Sequence, residues 1–324
     1  MNKKYKTKTN LKLTKIFITI FLLLINFSLI NFSLLINPVL SNTTKSYNQK
    51  FLSYLSPSGK YFLWDLENKK LIKTKDIPFS VKSIFYIDND NLALLSDNSI
   101  SIANNIILRL DKQFNINYEP LFLYSLNASE NYYKFLLLTN KTINICEIRN
   151  DKLIYLKKDT ILKPSNLVYL SNNSFLISAN RFVYLYNISN FLWFNFINKK
   201  KILYFDRIVN YIDVDDKKNK FLVLTIDGKL NLYTLNFQNL KEIQLNPEDK
   251  IALYALNNSD IIVTDKSNNI RIYSIGGNLK NTLNFPNQII DIIKTDNYLV
   301  IIYGDLEKPI LRLIDKEYNT ITEI

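Results

Sequence analysis

The residues able to do chemistry are few, and what is missing narrows the choice. The chain has no histidine, and Cys146 is its single cysteine. Without histidine the usual general base, the commonest metal ligand and the neutral-pH switch are gone. A nucleophilic cysteine needs a neighbouring base. Cys146 lies in NKTINICEI, a strand-like segment, and reads as a small buried residue. No intramolecular disulfide can form. Asp213, Asp215 and Asp216 make an acidic cluster in YIDVDDKKNK. Asp213 and Asp215 would share a strand face, and oxygen ligands suit calcium. Lys217, Lys218 and Lys220 follow at once, with no glycine-containing calcium loop, so a solvated turn is the better reading. Asp88-Asn89-Asp90 reads as a turn. There is no Gly-rich phosphate loop, zinc spacing or Gly-x-Ser-x-Gly elbow. We therefore expect no catalytic residue, no cofactor and no metal.

One segment stands out as a contact surface. Residues 190–201, NFLWFNFINKKK, concentrate Phe191, Trp193, Phe194 and Phe196. Such aromatic density suits an interface anchor. The competing reading is a strand buried between neighbouring repeats of the chain.

These residues must be positioned by strands. After residue 50 the chain alternates short apolar runs with Asn, Asp, Ser and Lys turns. Seven turn–strand units align: SGKYFLWDL, DNSISIANN, NKTINICEI, NRFVYLYNI, DGKLNLYTL, SNNIRIYSI and KPILRLIDK. Their second residues are Gly59, Asn98, Lys141, Arg181, Gly228, Asn268 and Pro309, spaced 39, 43, 40, 47, 40 and 41 apart. A period near 40 is what a four-stranded propeller blade requires. Each unit repeats two apolar residues at a spacing of two, from Tyr61 and Leu63 to Leu311 and Leu313, which puts both on one strand face. Pro78, Pro120, Pro164, Pro247 and Pro286 recur at 42, 44, 83 and 39 residues. Proline cannot donate to a ladder and so collects between strands. The spacing predicts an all-β propeller of seven four-stranded blades over residues 51–324. Its first blade lacks a leading strand unless residues 43–49 supply one, which leaves ring closure open.

The N-terminus sets an address. Residues 1–15 carry six lysines and no acid, and residues 16–36 carry no charge. Those 21 residues span about 31 Å as a helix, matching a bilayer core. The lysines should stay cytoplasmic and send the remainder across. Residues 1–41 thus read as a signal peptide or an uncleaved signal anchor, with 42–50 as a linker. Export would place the propeller in the periplasm or on the extracytoplasmic side of a membrane. The formal charge is +12, but the six terminal lysines leave 35 basic residues against 29 acids, scattered along the chain. Nucleic-acid binding needs a continuous basic track, so none is expected.

The segment SPSGKYFLWDLENKKLIKT resembles a WD-repeat blade, with Gly59 at the turn and Trp64-Asp65 closing the strand. Together with DGKLNLYTLNFQNLKEI it is also similar to exported quinoprotein-like propellers. Within that group an exported, non-catalytic chain resembles the propeller subunits of outer-membrane β-barrel assembly machineries. The resemblance implies a scaffold that binds other proteins in the cell envelope. A carboxylate-dependent propeller hydrolase, using Asp206 or Asp213, is the alternative. A membrane-anchored sensor or adhesion domain is another.

Overall fold

The computed structural model describes residues 43–77, 81–108, 110–129, 132–170, 174–191, 194–215, 218–245, 254–257, 260–265 and 267–324. The expected N-terminal helix and export signal lie outside them. The described residues form strands only, in seven four-stranded antiparallel sheets. Blade 1 is β1 (Thr43–Lys45), β2 (Phe51–Leu55), β3 (Lys60–Asp65) and β4 (Lys70–Asp76). Blade 2 is β5 (Ser83–Tyr86), β6 (Asn91–Ser96), β7 (Ser99–Asn104) and β8 (Leu110–Asn115). Blade 3 is β9 (Pro120–Ser129), β10 (Tyr132–Thr139), β11 (Thr142–Arg149) and β12 (Lys152–Thr160). Blade 4 is β13 (Pro164–Tyr169), β14 (Ser174–Ala179), β15 (Phe182–Phe191) and β16 (Phe194–Tyr204). Blade 5 is β17 (Val209–Val214), β18 (Lys220–Thr225), β19 (Lys229–Thr234) and β20 (Asn239–Gln244). Blade 6 is β21 (Tyr254–Asn257), β22 (Asp260–Thr264), β23 (Asn269–Ser274) and β24 (Leu279–Asn284). Blade 7 is β25 (Ile289–Lys294), β26 (Leu299–Asp305), β27 (Lys308–Ile314) and β28 (Thr320–Glu323).

The seven-bladed propeller is therefore as the spacing predicts. The repeated apolar pairs fall on the third strand of every blade, and all are buried except Leu185, which is partly so. Their direction explains the ring. Tyr61 and Leu63 face blade 2, Ile100 and Ile102 face blade 3, and the pattern continues until Leu311 and Leu313 face blade 1. Seven hydrophobic clusters fill the seven interfaces between neighbouring blades. Second and third strands supply most of this core, while fourth strands such as β4 and β20 are largely exposed. Of the periodic prolines, Pro120 and Pro164 begin first strands and Pro286 lies just before one. Pro78 and Pro247 lie outside the described residues.

Within the expected linker, Thr43–Lys45 form β1, the leading strand of blade 1, which pairs with β2. Every blade is thus built from one continuous stretch of chain. The ring closes with no strand exchanged between its ends. Closure rests on Leu52, Tyr54, Phe62 and Trp64 against Val300, Ile302, Leu311 and Leu313. At the rim the Glu307 carboxylate accepts hydrogen bonds from the Ser56 and Ser58 hydroxyls.

The polar turn residues cap their own turns. The Asp65, Asp88, Asp215, Asp265 and Asp315 carboxylates each accept backbone N–H bonds from two to five residues ahead. The strands alternate direction, so first–second turns and third–fourth turns share one face of the propeller. Second–third turns and the connections between blades share the other.

Candidate functional site

The first strands face the propeller axis and enclose a chamber of about 650 Å³. Six blades line it through described residues, and it reaches the β1–β2, β17–β18 and β25–β26 turns, so it opens on the face that carries the first–second turns. Its walls hold Tyr47, Tyr86, Tyr124, Tyr169 and Tyr211, with Asp213, Asp215, Asp291 and Asp296 set against Lys45, Lys218 and Lys294.

Side chains in the chamber link blades that are not neighbours. Lys294 of blade 7 reaches past blade 6 to blade 5, where its Nζ lies 3.0 Å from Asp213 Oδ2 and donates to the Val214 carbonyl at 2.7 Å. Tyr47 of blade 1 reaches blade 3: its hydroxyl accepts from Ser125 N at 3.1 Å and donates to the Tyr86 carbonyl at 3.3 Å. Tyr47 also meets Tyr124 edge-on, and Tyr124 stacks on Tyr169 at 4.5 Å.

Asp291 is the most perturbed carboxylate here. It touches the chamber but is otherwise enclosed by protein, and this desolvation pushes its pKa up to about 6. Hydrogen bonds from Thr43 and from Ile292 N, at 2.8 Å, oppose the rise without cancelling it. Tyr211 lies close enough to Asp213 and Asp291 for both charges to add to the burial that holds its hydroxyl protonated.

The residues singled out by sequence are dispersed. Asp213 lines the chamber, whereas Asp206 sits exposed in the connection between blades 4 and 5, on the opposite face. The two are not brought together. Asp215 caps its turn through Asn219 N and Lys220 N, at 2.6 and 2.9 Å, in line with the turn reading, and Asp216 lies outside the described residues. Among the described residues no cluster of three or more metal-ligating side chains occurs. Cys146 is fully buried between blades 2 and 3, and burial pushes its thiol pKa far up. It occupies the strand position that Trp64 holds in blade 1.

The aromatic segment belongs to the β15–β16 hairpin. Among the described residues, pairing with β14 ends at Asn187, yet β15 and β16 stay paired out to Phe191 and Phe194. The hairpin thus extends past its blade as a two-stranded ribbon on the chamber face. Ile188 and Ile197 at its base are buried against blade 3, and Phe196 is 38% exposed. Trp193 lies outside the described residues.

Sequence reasoning did not find Asp291, Lys294, Tyr124 or Tyr169 as a group. The one local signal is Asp291 itself, a carboxylate inside the apolar run IIDII.

No protein-family model matches the sequence, and no curated protein does. Solved structures do. Kluyveromyces lactis Hsv2 aligns with a TM-score of 0.63 at 11% identity, over 89% of this chain and 99% of that one. Kluyveromyces marxianus Hsv2 aligns at 0.61 and 10%, over 89% and 98%. The dihydro-heme d1 dehydrogenase NirN, solved in complex with DHE, aligns at 0.61 and 12%, over 87% of this chain and 65% of that one. At these identities the likeness establishes the fold alone: the chain is a seven-bladed, four-stranded β-propeller.

Proposed function

We propose that the chain is a non-catalytic propeller scaffold that binds other proteins on the extracytoplasmic side of a membrane, in cell-envelope or outer-membrane protein assembly. The observation that supports this reading is the β15–β16 ribbon. It projects from the face where the chamber opens, ends in paired Phe191 and Phe194, and exposes Phe196. An exposed aromatic side chain such as that of Phe196 makes an effective interface anchor. A partner loop or nascent strand could also pair with a blade edge through its backbone. The test is a photoreactive side chain at Phe196 in the full chain in native membranes. A cross-link to an outer-membrane assembly component, absent when the group sits at exposed Leu279, is the expected result. Its absence from both positions overturns the reading.

One observation favours the hydrolase alternative: Asp213 and Asp291 share a chamber in different electrostatic settings. Asp213 carries an ion pair, and Asp291 is driven toward its neutral form. Such divergence is how carboxylate pairs divide acid and base roles. Against it, Asp213 is engaged by Lys294 and Asp291 by Thr43 and Ile292 N. Loss of turnover on a chromogenic glycoside panel in both Asp213→Asn and Asp291→Asn would favour the enzyme; no turnover by the unmodified chain retires it. Measuring the mass of the mature N-terminus separates a cleaved signal from an anchored sensor or adhesion domain.

A further inference from the structure

The chamber already holds a cation of its own. Lys218 enters from the β17–β18 turn, and its Nζ lies 4.2 Å from the centroid of the Tyr169 ring. Tyr169 is stacked on Tyr124, and Tyr47 closes on Tyr124 from the side. An ammonium over an aromatic face is attracted by the ring quadrupole, more strongly where water is thinned.

The placement of Lys218 is built rather than incidental. Its backbone holds a φ of 54°, in the left-handed region uncommon for a non-glycine residue. Lys218 N donates to the Asp215 carbonyl at 2.8 Å, and the Asp215 carboxylate fixes the next two amides. Burial lowers the Lys218 pKa, and among the described residues no carboxylate is paired with it. The aromatic wall is what compensates its lost water.

Charge sets what could replace it. Four carboxylates face three lysines in the chamber, and swinging Lys218 into solvent leaves four against two. That balance disfavours an anion and accepts another cation. The volume lies in the usual range for small-molecule sites.

We propose that the Tyr124–Tyr169 wall is a binding site for small organic ammonium groups, with Lys218 as the internal cation that a ligand displaces. The same chemistry could come from a free amine or from a lysine side chain of a docked protein. The test is calorimetry on the full chain in detergent with two probes, choline and Nα-acetyl-lysine methylamide. Lys218→Met vacates the wall and should tighten binding about tenfold. Tyr169→Phe keeps the ring and should bind within about twofold of the unmodified chain, whereas Tyr169→Leu should weaken binding by about tenfold or more. Melting curves identify any variant that fails to fold, and the Lys218→Met and Tyr169→Phe pair still decides the question if Tyr169→Leu does. Binding of choline alone marks a free ligand, and binding of the lysine derivative alone marks a docked side chain; either supports the site. Failure of both probes on every folded variant overturns it, as does Lys218→Met binding no tighter than the unmodified chain. A chain that cross-links through Phe196 yet ignores both probes loses this inference and keeps the docking reading.

Discussion

Asp291 should write its environment into the pH dependence of stability. Its folded pKa of about 6 lies above the ordinary aspartate value of 3.8, so between those values the native state holds more proton than the unfolded chain. Its contribution is fully present below about pH 4 and is lost as the pH rises through 6. A shift of about two units corresponds to roughly 3 kcal/mol. Tyr54 and Tyr211 nearby are both raised, so they stay neutral across that window. We expect Asp291→Asn to stabilise the protein by about 1–3 kcal/mol at pH 7.5. Urea unfolding at pH 4, 5, 6 and 7.5 checks this, and an unchanged slope between pH 4 and 6 would contradict it. Cys146 gives the opposite kind of test. Its thiol is buried and held protonated, so iodoacetamide should leave the native chain unlabelled and modify it only after unfolding. Labelling at the native rate of an exposed thiol would place Cys146 elsewhere.

At the scale of elements, the turns carry information that the strands do not. Gly59 ends the turn between β2 and β3 at a φ of +90°, where an added Cβ would approach the Ile77 carbonyl to 3.3 Å. We expect Gly59→Ala to destabilise by about 1–2 kcal/mol in thermal melts, with the fold retained. This part of the architecture was legible in the sequence. Gly59 and Gly228 mark second–third turns, Asp65 and Asp215 mark capped turns, and Tyr61 with Leu63 sets the buried face. The ribbon was legible as an interruption, in the 47-residue step and its aromatic run, but not as a hairpin that leaves its blade. The chamber was not legible at all. It takes between one and four residues from each of six first strands about a blade apart. Those strands are mixed in burial pattern, so Tyr124, Tyr169 and Asp291 look like ordinary strand residues until the ring brings them together. Asp206 and Asp213 show the converse: seven residues apart in sequence, they sit on opposite faces because one strand runs between them.

At the scale of the whole molecule, the seam between blades 7 and 1 differs from the other six. Elsewhere the chain itself joins neighbouring blades. Here β28 ends the last blade and β1 begins the first, with no strand shared, so closure rests on side-chain packing, on Glu307 at the rim, and on hydrogen bonds such as Thr43 to Asp291, Asp296 N to Gln49 and Tyr54 to the Leu306 carbonyl. Trp64 is the largest residue in that seam; it is fully buried and stacked on Phe62 at 5.7 Å. Trp64→Ala should cost about 3–5 kcal/mol, the range for emptying a large aromatic site. Phe175→Ala, in the cluster between blades 3 and 4, should cost a similar amount. The two should differ in how the loss is distributed. Opening the seam frees blades 1 and 7 without breaking a covalent connection, so it can occur below the free energy of global unfolding. Native-state hydrogen exchange of Trp64→Ala should therefore show β2, β3, β26 and β27 losing protection ahead of β10, β11, β14 and β15. Phe175→Ala should lower protection across the ring with no such early group. Uniform loss in both variants would mean that the seam is as cooperative as the covalently joined interfaces, and that packing of the last apolar pair, Leu311 and Leu313, onto blade 1 suffices to make the ring a single folding unit.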